Sequence, residues 1–178
     1  RQIVYPTFSP DSQRLAYFVM VESSSPGSLD KWFVAVDGQE GKEYEYDATT
    51  LSGLAFDLVF SPNSKHIAYS GTLDSPEMGE RWFAVLDGQE GKQYDYVYGL
   101  TFSPDSKHFA YCTEDGDSAF VVVDGQEGKQ YDDLGYYIYT SSRRLGLYVV
   151  YIVFDSSDSF HYIAREGNKV YLVEEKIG

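Results

Sequence analysis

Phe8-Ser-Pro-Asp-Ser12, Phe60-Ser-Pro-Asn-Ser64 and Phe102-Ser-Pro-Asp-Ser106 are three versions of one phrase, and their recurrence decides the fold. Each is followed by two basic or polar residues and an apolar run ending in Ala-Tyr: Leu15-Ala-Tyr17, Ile67-Ala-Tyr69 and Phe109-Ala-Tyr111. A further apolar run leads into the hexapeptide Asp-Gly-Gln-Glu-Gly-Lys at 37–42, 87–92 and 124–129. A Tyr-Glu or Tyr-Asp pair closes each unit: Tyr44-Glu45, Tyr94-Asp95, Tyr131-Asp132. A fourth, decayed copy reads Phe154-Asp-Ser-Ser-Asp158, then His161-Tyr162, then Val170 to Lys176. The phenylalanines at 8, 60, 102 and 154 and the hexapeptide positions at 37, 87, 124 and 174 alternate between long and short intervals. A unit of two repeats has been duplicated.

Each copy has a physical logic. Pro10, Pro62 and Pro104 preset φ for the second position of a type I turn, and Asp11, Asn63 and Asp105 bond the local backbone from the third. Asp37-Gly38, Asp87-Gly88 and Asp124-Gly125 supply the positive-φ pair of a two-residue hairpin. The two turns separate four short strands in a repeat of about 40 to 50 residues, the size of a propeller blade. Helical periodicity is absent, and a lone small sheet cannot bury both faces, so neighbouring repeats must stack. The expected fold is all-β: about four four-stranded antiparallel β-propeller blades, a partial or half propeller. Residues 1–178 form one repeat domain, with blades near 1–47, 48–97, 98–133 and 134–178. The fourth copy lacks both the turn proline and the Asp-Gly pair and stops before an outer strand. An uncovered edge invites pairing with another chain, so the chain is either a piece of a longer propeller or a half-ring that self-associates.

The recurring aromatic-Ser-Pro-Asp-Ser turn, Ala-Tyr strand and Asp-Gly hairpin resemble the WD-like β-propeller repeat of TolB-like proteins. The resemblance covers nearly the whole chain. It implies structural turn residues, an exported (periplasmic or extracellular) protein, and a role in binding other proteins or as an accessory domain.

Composition excludes several classes. The 178 residues carry a net charge of −14, which repels a phosphate backbone and an anionic membrane surface, so neither nucleic acid nor membrane insertion is expected. The longest apolar run, Leu145 to Phe154, is one strand long. Cys112 is the only cysteine, which rules out an intrachain disulfide and a Cys-based zinc site. It lies in an apolar strand without a base. His66, His108 and Arg14 share one repeat position, which reads as a polar strand edge rather than a metal site. No Gly-x-Ser-x-Gly elbow and no phosphate-cradling glycine loop occurs. Glu114-Asp115-Gly116-Asp117 and Asp155 to Asp158 offer oxygens to calcium without the spacing of a calcium loop, and hairpin turns explain both. Trp32 and Trp82 read as packing between blades. No metal, cofactor or enzymatic activity is expected.

The turn sequences are nearly constant, while the loops on the opposite face vary: 22–30, 73–80, 114–117, 166–168, and the connectors 47–53 and 133–147. Variable loops on a rigid scaffold are where recognition resides, which singles out Leu29, Leu73, Met78, Tyr136 and Tyr137 as partner contacts. The leading expectation is a non-catalytic binding or scaffolding propeller that meets a protein partner or a second copy through its open edge. Two alternatives stand beside it: the gating propeller of a peptidase whose hydrolase domain lies elsewhere, and a structural subunit that polymerises end to end.

Overall fold

The computed structural model describes residues 1–23, 29–46, 57–75, 79–140, 143–149 and 152–178. It is all-β. The first sheet holds β1 (Gln2–Phe8), β2 (Leu15–Val21), β3 (Asp30–Val36), β4 (Gln39–Glu40) and β5 (Tyr44–Tyr46). Both β4 and β5 pair with β3, as two halves of one fourth strand. The second runs β6 (Leu58–Phe60), β7 (Ile67–Ser75), β8 (Gly79–Leu86), β9 (Gln89–Tyr94) in that order. The third runs β10 (Tyr96–Phe102), β11 (Phe109–Asp115), β12 (Ser118–Val123), β13 (Gln126–Glu127), starting two residues before the repeat-based boundary. β14 (Asp133–Leu134), a hairpin of β15 (Tyr136–Thr140) and β16 (Arg143–Val149), β17 (Val153–Phe154), β18 (Ser159–Glu166) and β19 (Lys169–Lys176) complete the chain. All pairing is antiparallel between strands adjacent in the repeat, and the first strands lie side by side, β1 against β6 and β6 against β10. This is a stack of propeller blades.

Local chemistry explains both turns. Ser12, Ser64 and Ser106 donate N–H to Ser9, Ser61 and Ser103 carbonyls at 2.8 Å, closing the turn that proline starts. The same three serines then adopt φ of 60° to 64°, which a serine takes only at a cost. A contact across the sheet boundary offsets it: Ser64 Oγ accepts the Asp11 N–H at 3.1 Å, and Ser106 Oγ accepts the Asn63 N–H at 3.0 Å. In the second turn Asp37, Asp87 and Asp124 have φ of 49° to 52° and the following glycines 79° to 83°, the double-positive geometry of a type I′ hairpin. The second glycine of the hexapeptide has a different task. A Cβ on Gly41 would stand 2.8 Å from the Val34 carbonyl oxygen, to which its own N–H donates. That bulge breaks the fourth strand and re-aims the Lys and Tyr that follow.

Aromatics fill the space between sheets. Trp32, fully buried, donates Nε1–H to the Thr72 carbonyl of the second sheet at 2.9 Å and stacks on Tyr44 at 4.4 Å. Glu114 occupies the corresponding place in the third sheet, and Trp82 sits edge-on to Tyr96 of that sheet at 4.8 Å. Both tryptophans are blade-to-blade packing. One core joins sheets one to three, and a second, built on Tyr98, Leu134, Phe160 and Tyr162, joins the third to the fourth.

The fourth sheet departs from the sequence expectation in one respect. Asp133 to Leu147 is not a loop leading to the blade. β14 pairs with Arg165 and Ala164, β17 pairs with His161 and Phe160, and β19 takes the other edge of β18 throughout. β14 and β17 are therefore two halves of one first strand, and the β15–β16 hairpin is spliced between them. The splice falls where β1 and β10 carry a register shift, between Val4 and Thr7 and between Tyr98 and Thr101. A bulge already interrupts the ladder there, so an insertion costs few further hydrogen bonds. Three strand positions remain in this sheet, with β19 at its edge.

Candidate functional site

The two ends of the strands are used differently. At the turn end, side chains are spent on structure. Asp37 Oδ1 and Oδ2 accept from Leu15 N and Arg14 Nε at 2.9 and 3.0 Å. Asp87 and Asp124 repeat this with Ile67 N and Phe109 N at 2.9 Å, pairing with His66 and His108 Nδ1 at 2.7 and 2.6 Å. Arg14 lies over the Phe60 ring and His66 stacks on Phe102, each in the next sheet. Asp11, Asn63 and Asp105 accept the serine hydroxyl two residues before them at 2.6 to 2.8 Å.

The connector end carries a concentration of carboxyl groups drawn from three sheets. Asp57, at the entry to β6, accepts the Leu100 N–H at 3.1 Å, and burial raises its pKa against two backbone donors. Glu114, beside Tyr98 on β11, is raised by burial and then by the negative charge of Asp133. Asp133 is raised by burial, with Arg165 at 3.6 Å pulling the other way. Burial, then Asp57, Glu114 and Glu80, pushes the Tyr96 hydroxyl up to about 12. Cys112 is fully buried beneath them, and its thiol is pushed far up by the same causes. Outside this core, Arg81 bridges Asp95 and Asp115, the latter at 3.0 Å. Asp95 and Asp132 accept Gly116 N and Gly167 N at 2.7 and 2.6 Å, which explains the acid in the Tyr-Asp pair: it holds the next sheet's turn. The arrangement is a set of acceptors of negative potential, suited to a cationic or donor-rich partner.

Linkage gives a direct test. Glu114 has a folded pKa above its unfolded value, so its contribution is fully present below about pH 4.3 and lost as pH rises through the folded value. Glu114→Gln removes that loss. Urea denaturation is expected to show the variant more stable than the parent by about 0.5 kcal/mol at pH 7, after discounting for solvent screening at a partly exposed site, and level with it at pH 3.5. A variant less stable at pH 7 refutes the strained carboxyl.

The sequence-derived contact residues are distributed differently. Leu29 is exposed immediately before β3. Leu73 packs against the first core, opposite Arg81, and does not stand clear as a surface anchor. Tyr136 and Tyr137 lie in β15, opposite Val149 and Tyr148. Met78 lies outside the described residues. Asp57, Tyr96 and the pairing of Glu114 with Asp133 escape sequence reading; the visible signal was the 114–117 acid run beside the start of the fourth copy. Among the described residues no group of three or more His, Cys, Asp or Glu is placed to hold a metal ion. The two calcium candidates are hairpin turns, with Asp155 on His161 Nδ1 at 2.9 Å and Asp158 on Ser156 Oγ at 2.7 Å.

Comparison with known proteins adds the following. No protein-family model matches the sequence, and no curated protein matches it. Among solved structures, TolB from Acinetobacter baumannii is similar at 16% identity and a TM-score of 0.45, over 96% of this chain and 40% of that one. Prolyl oligopeptidase B from Galerina marginata is similar at 13% and 0.47, over 97% of this chain and 27% of that one. The β-propeller domain of the Trilobed protease from Pyrococcus furiosus is similar at 10% and 0.46, over 99% and 70%. The chain thus spans well under half of the first two. Its own sheet order and stacking make it a propeller module.

Proposed function

We propose that this chain is a non-catalytic protein-binding propeller module that takes a basic partner surface at its connector end. One observation carries the reading: side chains at the turn end are committed to sheet-to-sheet contacts, while the described loops of variable sequence, 114–117 and 166–168, lie at the other end and an entire hairpin beginning two residues after Leu134 interrupts the first strand of the fourth sheet. The carboxyls of Glu114 and Asp133, whose pKa values burial raises, and the net charge of −14 fit a cationic partner. Support for a non-catalytic role comes from the histidines, each engaged by an aspartate, and from the burial of Cys112. Photo-crosslinking groups at Leu29, at Tyr137 and, as a turn-end control, at Gln39 test the proposal in the producing cell. The expected result is one protein captured from the first two positions and not from the third. Capture from Gln39 alone reverses the orientation.

A further inference from the structure

The β15–β16 hairpin is surplus to the blade that carries it. In the third sheet Gly99 and Leu100 alone separate Tyr98, opposite Cys112, from Thr101, opposite Ala110. In the fourth, Gly135 donates its N–H to the Ile163 carbonyl at 2.8 Å and Val153 pairs with His161. These are the equivalent places, yet residues 136–152 stand between them. Among the described residues β15 and β16 pair only with each other and form a sheet of their own. A two-stranded ribbon is marginal in water by itself, and further strands are what stabilise it.

Register and composition point to where those strands come from. Tyr136 pairs with Val149, Tyr137 with Tyr148 and Ile138 with Leu147. Successive pairs fall on opposite faces of a ribbon, so residues of both faces are apolar or aromatic, and the body of the same chain can cover only one face. Thr140 pairs with Arg143, which puts Arg143 and Arg144 at the far end of the ribbon from Tyr136 and Val149. Residues 134–154 hold these two arginines and no Asp or Glu, in a chain of net charge −14. At the near end the chain enters from Asp132 and Asp133, and Asp132 is half exposed. The ribbon is basic at its far end and acidic at its root, so it is complementary to a copy of itself turned end for end.

We infer that the hairpin joins two copies of this chain, β16 pairing antiparallel with β16 of the second copy across a twofold axis. β16 is the longer of the two strands and the one that carries the arginines. Two ribbons become one four-stranded sheet, and an open edge of each is closed. Antiparallel pairing sets the far end of each ribbon beside the root of the other. Arg143 and Arg144 of one copy are thereby brought toward the acids at 132 and 133 of the second, twice over by symmetry. The inference rests on the proposed reading of the hairpin as a recognition element and names what it meets.

Sedimentation velocity of the 178-residue chain across a concentration series tests the inference, and the mass of two copies is expected. Arg143→Glu combined with Arg144→Glu is expected to weaken association about tenfold, because each reversal turns an attraction into a repulsion, with an unchanged melting curve showing the variant to be folded. Removing residues 136–150 leaves two residues between Gly135 and Val153, the spacing of β10. That variant is expected to keep the parent's melting curve and to sediment as one copy. A one-copy mass for the parent at every concentration overturns the inference, and if Tyr137 then captures a different protein, the proposed function stands without it. A two-copy mass that survives removal of 136–150, or that is indifferent to the arginine reversals, also overturns it.

Discussion

Gly71→Val is expected to lower the unfolding free energy by about 3 kcal/mol, the range of forced overpacking in a filled core. A Cβ at Gly71 would stand 2.2 Å from Trp32 Cη2 and 2.5 Å from Cζ2, with the Phe83 ring at 3.4 Å. Trp32 cannot retreat: it is fully buried, stacked on Tyr44 and tied by Nε1 to the Thr72 carbonyl one residue along. The strain therefore falls on the boundary between the first two sheets, the layer on which a stack of mutually dependent repeats relies. Urea denaturation measures the loss. Combining it with Trp32→Leu, which opens the space, is expected to recover part of the stability despite removing a large apolar side chain. A double variant as unstable as the two losses added would show that Gly71 and Trp32 do not share this space.

Asp37→Ala is expected to cost about 2 to 3 kcal/mol, and Asp37→Asn less than half of that. The alanine meets two penalties: a φ of 52°, which costs a Cβ-bearing residue about 1 kcal/mol unless its side chain bonds locally, and the loss of the acceptor for Leu15 N–H, worth about 1 to 2 kcal/mol. Asparagine tolerates that φ and keeps one oxygen. The carboxylate adds a pH signature. The Leu15 N–H first, and Arg14 second, hold its pKa below the usual aspartate value. Its contribution is therefore present above about pH 3.9 and lost as pH falls through the folded value. The gap between parent and Asp37→Asn should close on going from pH 7 to pH 2.5. A gap that persists at low pH would assign the effect to backbone conformation alone.

The local geometry was legible in residues 8–12 and 37–42 and their copies, because turn chemistry acts over four to six residues. Proline, the positive-φ Asp-Gly pair and the serine hydroxyls need no distant partner to bend a chain. The repeated Tyr-Asp pair was visible as a pattern, but its meaning was not, since Asp95 holds Gly116, 21 residues away. The hairpin of 136–149 read as a connector because its insertion point is a bulge in a ladder, which sequence does not display. The carboxyl site was hidden for a similar reason: Asp57, Glu114 and Asp133 belong to three different sheets, and only the angle and spacing of stacked sheets bring their charges within range of one another.

What sequence alone determined was the repeat unit, its two turns, the strand count of each copy and the place where the fourth copy decays, all consequences of short-range backbone preferences. Tertiary structure alone decided which aromatic enters which gap, why position 71 must be glycine and which carboxyls lose their water. Those outcomes depend on contacts between chain segments tens of residues apart, whose geometry is set by how sheets stack and not by any property of the residues taken in order.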